Sequence, residues 1–183
     1  MNYPKRIVVN EKEYLINTDF KVALKCLEII NDGKISDAER TYAVIYLLFD
    51  IVPNVEDMEE FLRLTRVYLQ CGEETKTHEE RKKDMDFKHD KSYISASFMS
   101  DYQIDLSKVD MHWWQFMELL QGLTEETMLS RIREVRNFDL NDLKDAKARG
   151  KMVKAKEQLA LPVELSEEEQ EAISEFEKLF GGG

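Results

Sequence analysis

An all-α domain with a small N-terminal β-hairpin is the fold class this sequence predicts, and three observations carry it. Turn formers are scarce, 7 Gly and 3 Pro in 183 residues, which disfavours a sandwich or barrel of many short strands. Apolar residues recur at helical spacing through most of the chain. Alternation of apolar and polar residues appears near the start, in KRIVVNEKEYLIN (5–17).

That first stretch alternates around a polar NEKE turn and reads as a hairpin. A lone hairpin is marginal in water, so it must pack on helices. Thr18-Asp19 opens a first helix, with Phe20, Ala23, Leu24, Leu27 and Ile30 on one face and Gly33 as the stop. Ser36 and Glu39 form a capping box for a second helix. Its body, TYAVIYLLFDIV, is apolar nearly all round, the pattern of a helix buried in the middle of a bundle. Pro53 ends it. Asn54 caps a third helix, striped by Met58, Phe61, Leu62, Thr65, Tyr68 and Leu69 and closed by Gly72.

Residues 73–91 are dominated by charges of both signs and read as a connector or a solvated helix. The chain therefore divides into an N-terminal unit (1–72), the connector (73–91), a second helical unit (92–161) and a tail (162–183), with the two helical units sharing one core. In the second unit, SYISASFMSDYQIDL (92–106) predicts a short helix followed by an extended Ile-Asp-Leu. Asp110 caps the next helix and Gly122 ends it. Thr124 starts another, to about Arg136. Asp139 or Asn141 begins a charged helix to about Leu159, and Pro162 stops it. In the tail, Ser166 and Glu169 form a second capping box, and Ile173, Phe176, Leu179 and Phe180 give a narrow apolar stripe. Residues 164–180 hold seven Glu against one Lys, −6 of the chain's −11. Such an acidic amphipathic segment docks on its own body or on a partner.

Composition narrows the function. Hydrophobic residues at 43% support a core, and charged residues at 34% imply long solvated faces. A net charge of −11 opposes non-specific nucleic-acid binding, which depends on Lys and Arg neutralising phosphates. No apolar run approaches the ~18–20 residues of a membrane span, and MNYPKRIVVNEKEY lacks a signal-peptide core. Cys26 and Cys71 lack CxxC spacing and read as reduced thiols of a cytosolic protein.

The chain presents no constellation that points to catalysis or to a cofactor. His78, His89 and His112 sit near no nucleophile elbow or H-E-x-x-H site and read as surface or capping residues. The cluster Asp84, Asp86, His89 and Asp90 has metal-donor atoms but neither an EF-hand glycine nor a closing glutamate, so no metal is expected. Phosphate-binding glycine loops are absent. The basic run Lys144, Lys147, Arg149, Lys151, Lys154 and Lys156 has no interleaved aromatics to stack bases. It reads as a solvated face first and as a dock for the acidic tail second.

Both tryptophans fall in DMHWWQFMELLQGL (110–123). At about 100° per residue, Phe116, Met117, Leu119, Leu120 and Leu123 share a sector with Trp113, which is therefore core. Trp114 falls on the polar flank beside Gln115, Glu118 and Gln121. Either a second layer, the hairpin or the next helix, covers it, or it meets a partner, where Trp is over-represented among hot spots.

Residues 86–140 also form an ordered pattern. Asp86-Phe87 and Asp90 come first, then Tyr93-Ile94 with Ser97-Phe98, then Tyr102 with Ile104-Asp105-Leu106. His112-Trp113-Trp114 with Phe116 follows, then Leu120, Leu123, Thr127, Ile132, Arg136 and Asp139-Leu140. This resembles the small proteins encoded just before the tape-measure gene in siphophages and prophages of Gram-positive bacteria, regarded as tail assembly chaperones. The resemblance implies a non-enzymatic protein of the host cytoplasm. It would bind the long helical tape-measure protein, keep it soluble while tail-tube subunits polymerise, and then leave, so that the mature virion lacks it. It also implies a short form and a longer, frameshifted form that recruits tail-tube protein. The terminal FGGG is read either as the end of the short form just past a slip site, or as a flexible tail or cloning remnant. Motif residues Phe98, Tyr102, Ile104, Leu106, Trp113, Phe116 and Leu120 are assigned to the core. Trp114, Glu118 and Gln121, with Ile173, Phe176 and Phe180 of the tail, are assigned to the client surface. Self-association is expected because a long client needs many copies.

Overall fold

A computed structural model of the chain describes residues 2–73 and 83–162. It is mainly helical, with one two-stranded antiparallel hairpin at the N-terminus. Two compact units divide between Glu134 and Val135.

The first unit opens with β1 (Arg6–Val9) and β2 (Lys12–Leu15), paired so that Ile7 faces Tyr14 and Val9 faces Lys12. The turn is tighter than the expected NEKE. Only Asn10 and Glu11 make it, both at positive φ (47° and 62°), and Lys12 and Glu13 belong to β2. Two left-handed residues give the backbone twist that a two-residue hairpin needs. Ile7, Val9 and Tyr14 pack inward, and Val8 and Leu15 remain exposed.

Asp19 caps α1 (Phe20–Ile30), its side chain accepting from Lys21 N. The Ser36/Glu39 box forms in both directions at the start of α2 (Asp37–Phe49). This helix is not enclosed on all sides, as its apolar composition predicts. Val44, Ile45, Leu48 and Phe49 are buried, while Tyr42 and Tyr46, one turn apart, face solvent. Tyrosine accommodates this because its ring carries a polar end. Asn54 precedes a 3-10 turn (Val55–Asp57) rather than capping α3 (Met58–Leu69) directly, and its side chain makes no cap hydrogen bond.

Beyond the undescribed residues, α4 (Lys91–Tyr102) ends on Gln103 in the left-handed conformation. The Ile104-Asp105-Leu106 stretch is not a strand: it runs into a turn in which Asp105 accepts from Ser107 N. The N-cap of α5 (Trp113–Gln121) is His112, not Asp110. Residues 124–127 form a turn, so α6 (Met128–Asn137) starts later than Thr124. One core joins residues from both sides of the connector, running from Val9 through Phe61 to Phe98, Phe116 and Leu129. The boundary between compact units thus falls inside α6 rather than at 73–91.

The second unit holds the last turn of α6, a 3-10 turn (Leu140–Asp142) capped by Asp139, and α7 (Ala146–Leu159) capped by Asp145. Lys156 Nζ donates to Phe138 O at 2.5 Å and Arg136 Nε to Leu159 O at 2.6 Å. The capping box at Ser166 and the stripe of Ile173, Phe176, Leu179 and Phe180 lie outside the described residues.

Candidate functional site

The histidine-tryptophan-tryptophan box sits where two helix starts are tied together. Phe20 N donates to Met111 O at 2.9 Å, and Trp113 N donates to Thr18 O at 2.8 Å, forming an isolated bridge between Asp19 and His112. This sets the first turn of α5 beside the first turn of α1. His112 then uses both ring nitrogens. Nδ1 accepts from Trp114 N at 3.1 Å, so Nε2 carries the proton and donates to Pro4 O at 2.9 Å. Tyr3 stacks on the imidazole at 4.9 Å, and its hydroxyl donates to Glu118 Oε2 at 2.6 Å. His112 is thus a helix cap that also anchors the N-terminal segment.

The two indoles point at the same helix end. Trp113 Nε1 donates to Leu69 O at 3.0 Å, and Trp114 Nε1 donates to Tyr68 O at 2.9 Å. These carbonyls belong to the last turn of α3, where the helix itself supplies no further N–H donors. Gln70 N donates to Arg66 O, and Gly72 N to Val67 O at 2.8 Å. All four terminal carbonyls of α3 are therefore satisfied, two of them by adjacent tryptophans. Gly72, at φ +85°, is part of the fit: a Cβ there would lie 2.9 Å from Trp114 Cη2.

Trp113 is 1% exposed, and Phe116 stacks near-parallel with Phe20 (4.8 Å), Phe98 (5.2 Å) and Trp113 (5.7 Å). Phe98 and Leu120 are buried in the same cluster, while Tyr102, Ile104 and Leu106 are half-buried against it. Tyr102 Oη donates to Leu119 O at 2.9 Å. Buried Ser97 donates to Tyr93 O and accepts from Leu129 N at 3.1 Å, joining α4 to α6.

Trp114 is half-buried, so a second layer does cover it, and that layer is the end of α3, two helices earlier, not the hairpin or the helix that follows. Glu118 and Gln121 are exposed on the same side of α5, one and two turns on. Ile173, Phe176 and Phe180 lie outside the described residues, so the structure brings together only the α5 half of the candidate surface. Apolar spacing alone could not reveal the donor role of the two indoles. The one available clue was a glycine-closed helix end, which leaves carbonyls in need of donors.

The carboxylates of the connector serve the turn itself. Asp86 accepts from Lys88 N and His89 N and pairs with Lys83, Asp84 pairs with Arg133, and Asp90, 1% exposed, accepts from Asp86 N at 2.9 Å. Burial pushes the Asp86 carboxyl up, but Lys83 and the backbone donors outweigh it and bring it down to about 2. No group of three or more His, Cys, Asp or Glu among the described residues could hold a metal ion. Burial pushes the Cys26 thiol up to about 12 and the Cys71 thiol up to about 11, so neither is a thiolate at neutral pH. Among the described residues no helix is long and apolar enough to cross a membrane.

A family model described as Bacteriophage Gp15 protein matches residues 3–161. This chain belongs to that bacteriophage family. The match runs from Tyr3, which stacks on His112, past the end of α7, and so takes in the whole histidine-tryptophan-tryptophan box. No curated protein and no solved structure matches the chain.

Proposed function

We propose that this Gp15-family protein is a tail assembly chaperone that binds the tape-measure protein and keeps it soluble while the tail tube assembles. The observation that carries the proposal is the ordered resemblance over residues 86–140 to the proteins encoded before tape-measure genes. Membership in a bacteriophage family is in keeping with it. So is the use of the motif's polar groups in capping and packing, which leaves them no part in a reaction, and the protein is proposed to be non-enzymatic. It would act in the host cytoplasm and be absent from the finished virion.

The client surface would be the exposed flank of α5, Glu118 and Gln121 with the uncovered edge of Trp114, extended by Ile173, Phe176 and Phe180 of the tail. An amphipathic client helix would be held there by helix-in-groove contacts. Several copies would line one long client, and a frameshifted longer form would recruit tail-tube protein. The test is expression of the tape-measure protein alone and with this chain: it should pellet alone and stay in the supernatant with the chaperone. The alternative is a minor structural protein of the tail. Mass spectrometry of purified particles separates the two, since a chaperone leaves the particle and a structural protein stays.

A further inference from the structure

α7 carries a run of cations, Lys147, Arg149, Lys151, Lys154 and Lys156. The ion pairs of the described residues include Arg6 with Glu13, Lys25 with Glu28 and Arg133 with Asp84. Lys147, Arg149, Lys151 and Lys154 form none among the described residues. None of its 14 residues is fully buried. Ala148, Met152, Ala155 and Leu159 recur every three or four residues, yet are at most half-buried. At about 100° per residue, Lys147, Lys151 and Lys154 border that stripe on one side and Arg149 on the other. An isolated helix of this length is marginal in water, and Gly150 in its middle costs about 1 kcal/mol more. Something should cover this face.

We propose that residues 164–180, outside the described part of the chain, dock as an antiparallel helix along α7. This rests on complementarity and length, and it competes with the client contact proposed above for Ile173 and Phe176, which the docked stripe would cover. The segment carries seven Glu against one Lys, facing a run of six cations with two acids over residues 144–157. Its apolar stripe through Ile173, Phe176 and Leu179 is bordered by Glu168 and Glu175 on one side and Glu177 on the other. Residues 166–180 as a helix span about 22 Å, against about 21 Å for α7. The intervening chain, with Pro162 just past the helix end, has the length of a helical-hairpin connection. In that register Lys151 falls beside Glu175 and Arg149 beside Glu177. The short tether holds the segment at an effective concentration of order mM, so modest contacts suffice.

The test is zero-length carbodiimide cross-linking of the full chain, as an equal mixture of light and 15N-labelled protein, read by peptide mass spectrometry. Docking predicts Lys151–Glu175 and Lys154–Glu171 links within single-isotope peptides. It also predicts their loss in the Ile173→Ser/Phe176→Ser chain, which keeps every charge. Circular dichroism checks that the variant retains its helices. Mixed-isotope links would assign the surface to a second copy and overturn the proposal. So would an absence of links, or links that survive the serine substitutions, since these would mean charge attraction without docking.

Discussion

Trp114 shows how one side chain can be spent on its own fold. Its indole N–H satisfies Tyr68 O and its ring lies over Gly72. Trp114→Phe should cost about 1 kcal/mol, the net worth of one hydrogen bond, because Tyr68 O still accepts from Cys71 N. Trp114→Ala should cost about 2–4 kcal/mol, because the packing goes too. Gly72→Ala should destabilise by more than 1 kcal/mol, since it adds both a clash and a left-handed alanine. Denaturant unfolding of the three variants reads these directly, and a neutral Trp114→Ala would return that side chain to the surface. Thr65 Oγ1 and Tyr68 Oη give the opposite expectation. Both are buried without a hydrogen-bond partner among the described residues. Thr65→Val should therefore leave stability unchanged or raise it by up to about 1 kcal/mol, because an unsatisfied hydroxyl is removed at constant shape. A loss above 1 kcal/mol would reveal a partner such as bound water.

At the scale of elements, capping decides where this chain turns. The cap of α7 is Asp145, not the expected Asp139 or Asn141, but Ser36 and Asp19 are legible as caps because short polar side chains before an apolar repeat have one evident use. His112 is less so: its capping depends on Pro4 O fixing the tautomer, a contact 108 residues away in sequence. The same reason hid the end of α3, whose carbonyls are met by donors from α5. Asp86 gives the turn before α4 a pH dependence. Its folded value, about 2, lies below the ordinary 3.8, so its contribution is complete above about pH 4 and is lost as pH falls toward 2. Asp86→Asn should therefore flatten the acid limb of a stability-versus-pH curve between pH 4 and 2. If the limb is unchanged, the Lys83 pairing carries no weight in solution.

For the whole molecule, helical periodicity was enough to read an all-α fold with one hairpin, because apolar residues recur every three or four positions through most long stretches. One buried cluster holds residues from both sides of the charged connector, which periodicity within either half does not reveal. The division inside α6 was not expected, because nothing in the local sequence of Glu134 and Val135 breaks a helix. The client surface is the least legible part: the motif residues that carry the resemblance are mostly buried, and burial explains packing without naming a partner. Self-association and client binding are therefore best read together. The deciding measurement is size-exclusion chromatography with light scattering on this protein co-expressed with the tape-measure protein encoded beside it. The chaperone account predicts one soluble peak containing both, with a mass requiring several copies of this chain per tape measure. A tape measure left in the pellet, with this chain eluting at its own unchanged mass even when the longer form is supplied, would contradict it.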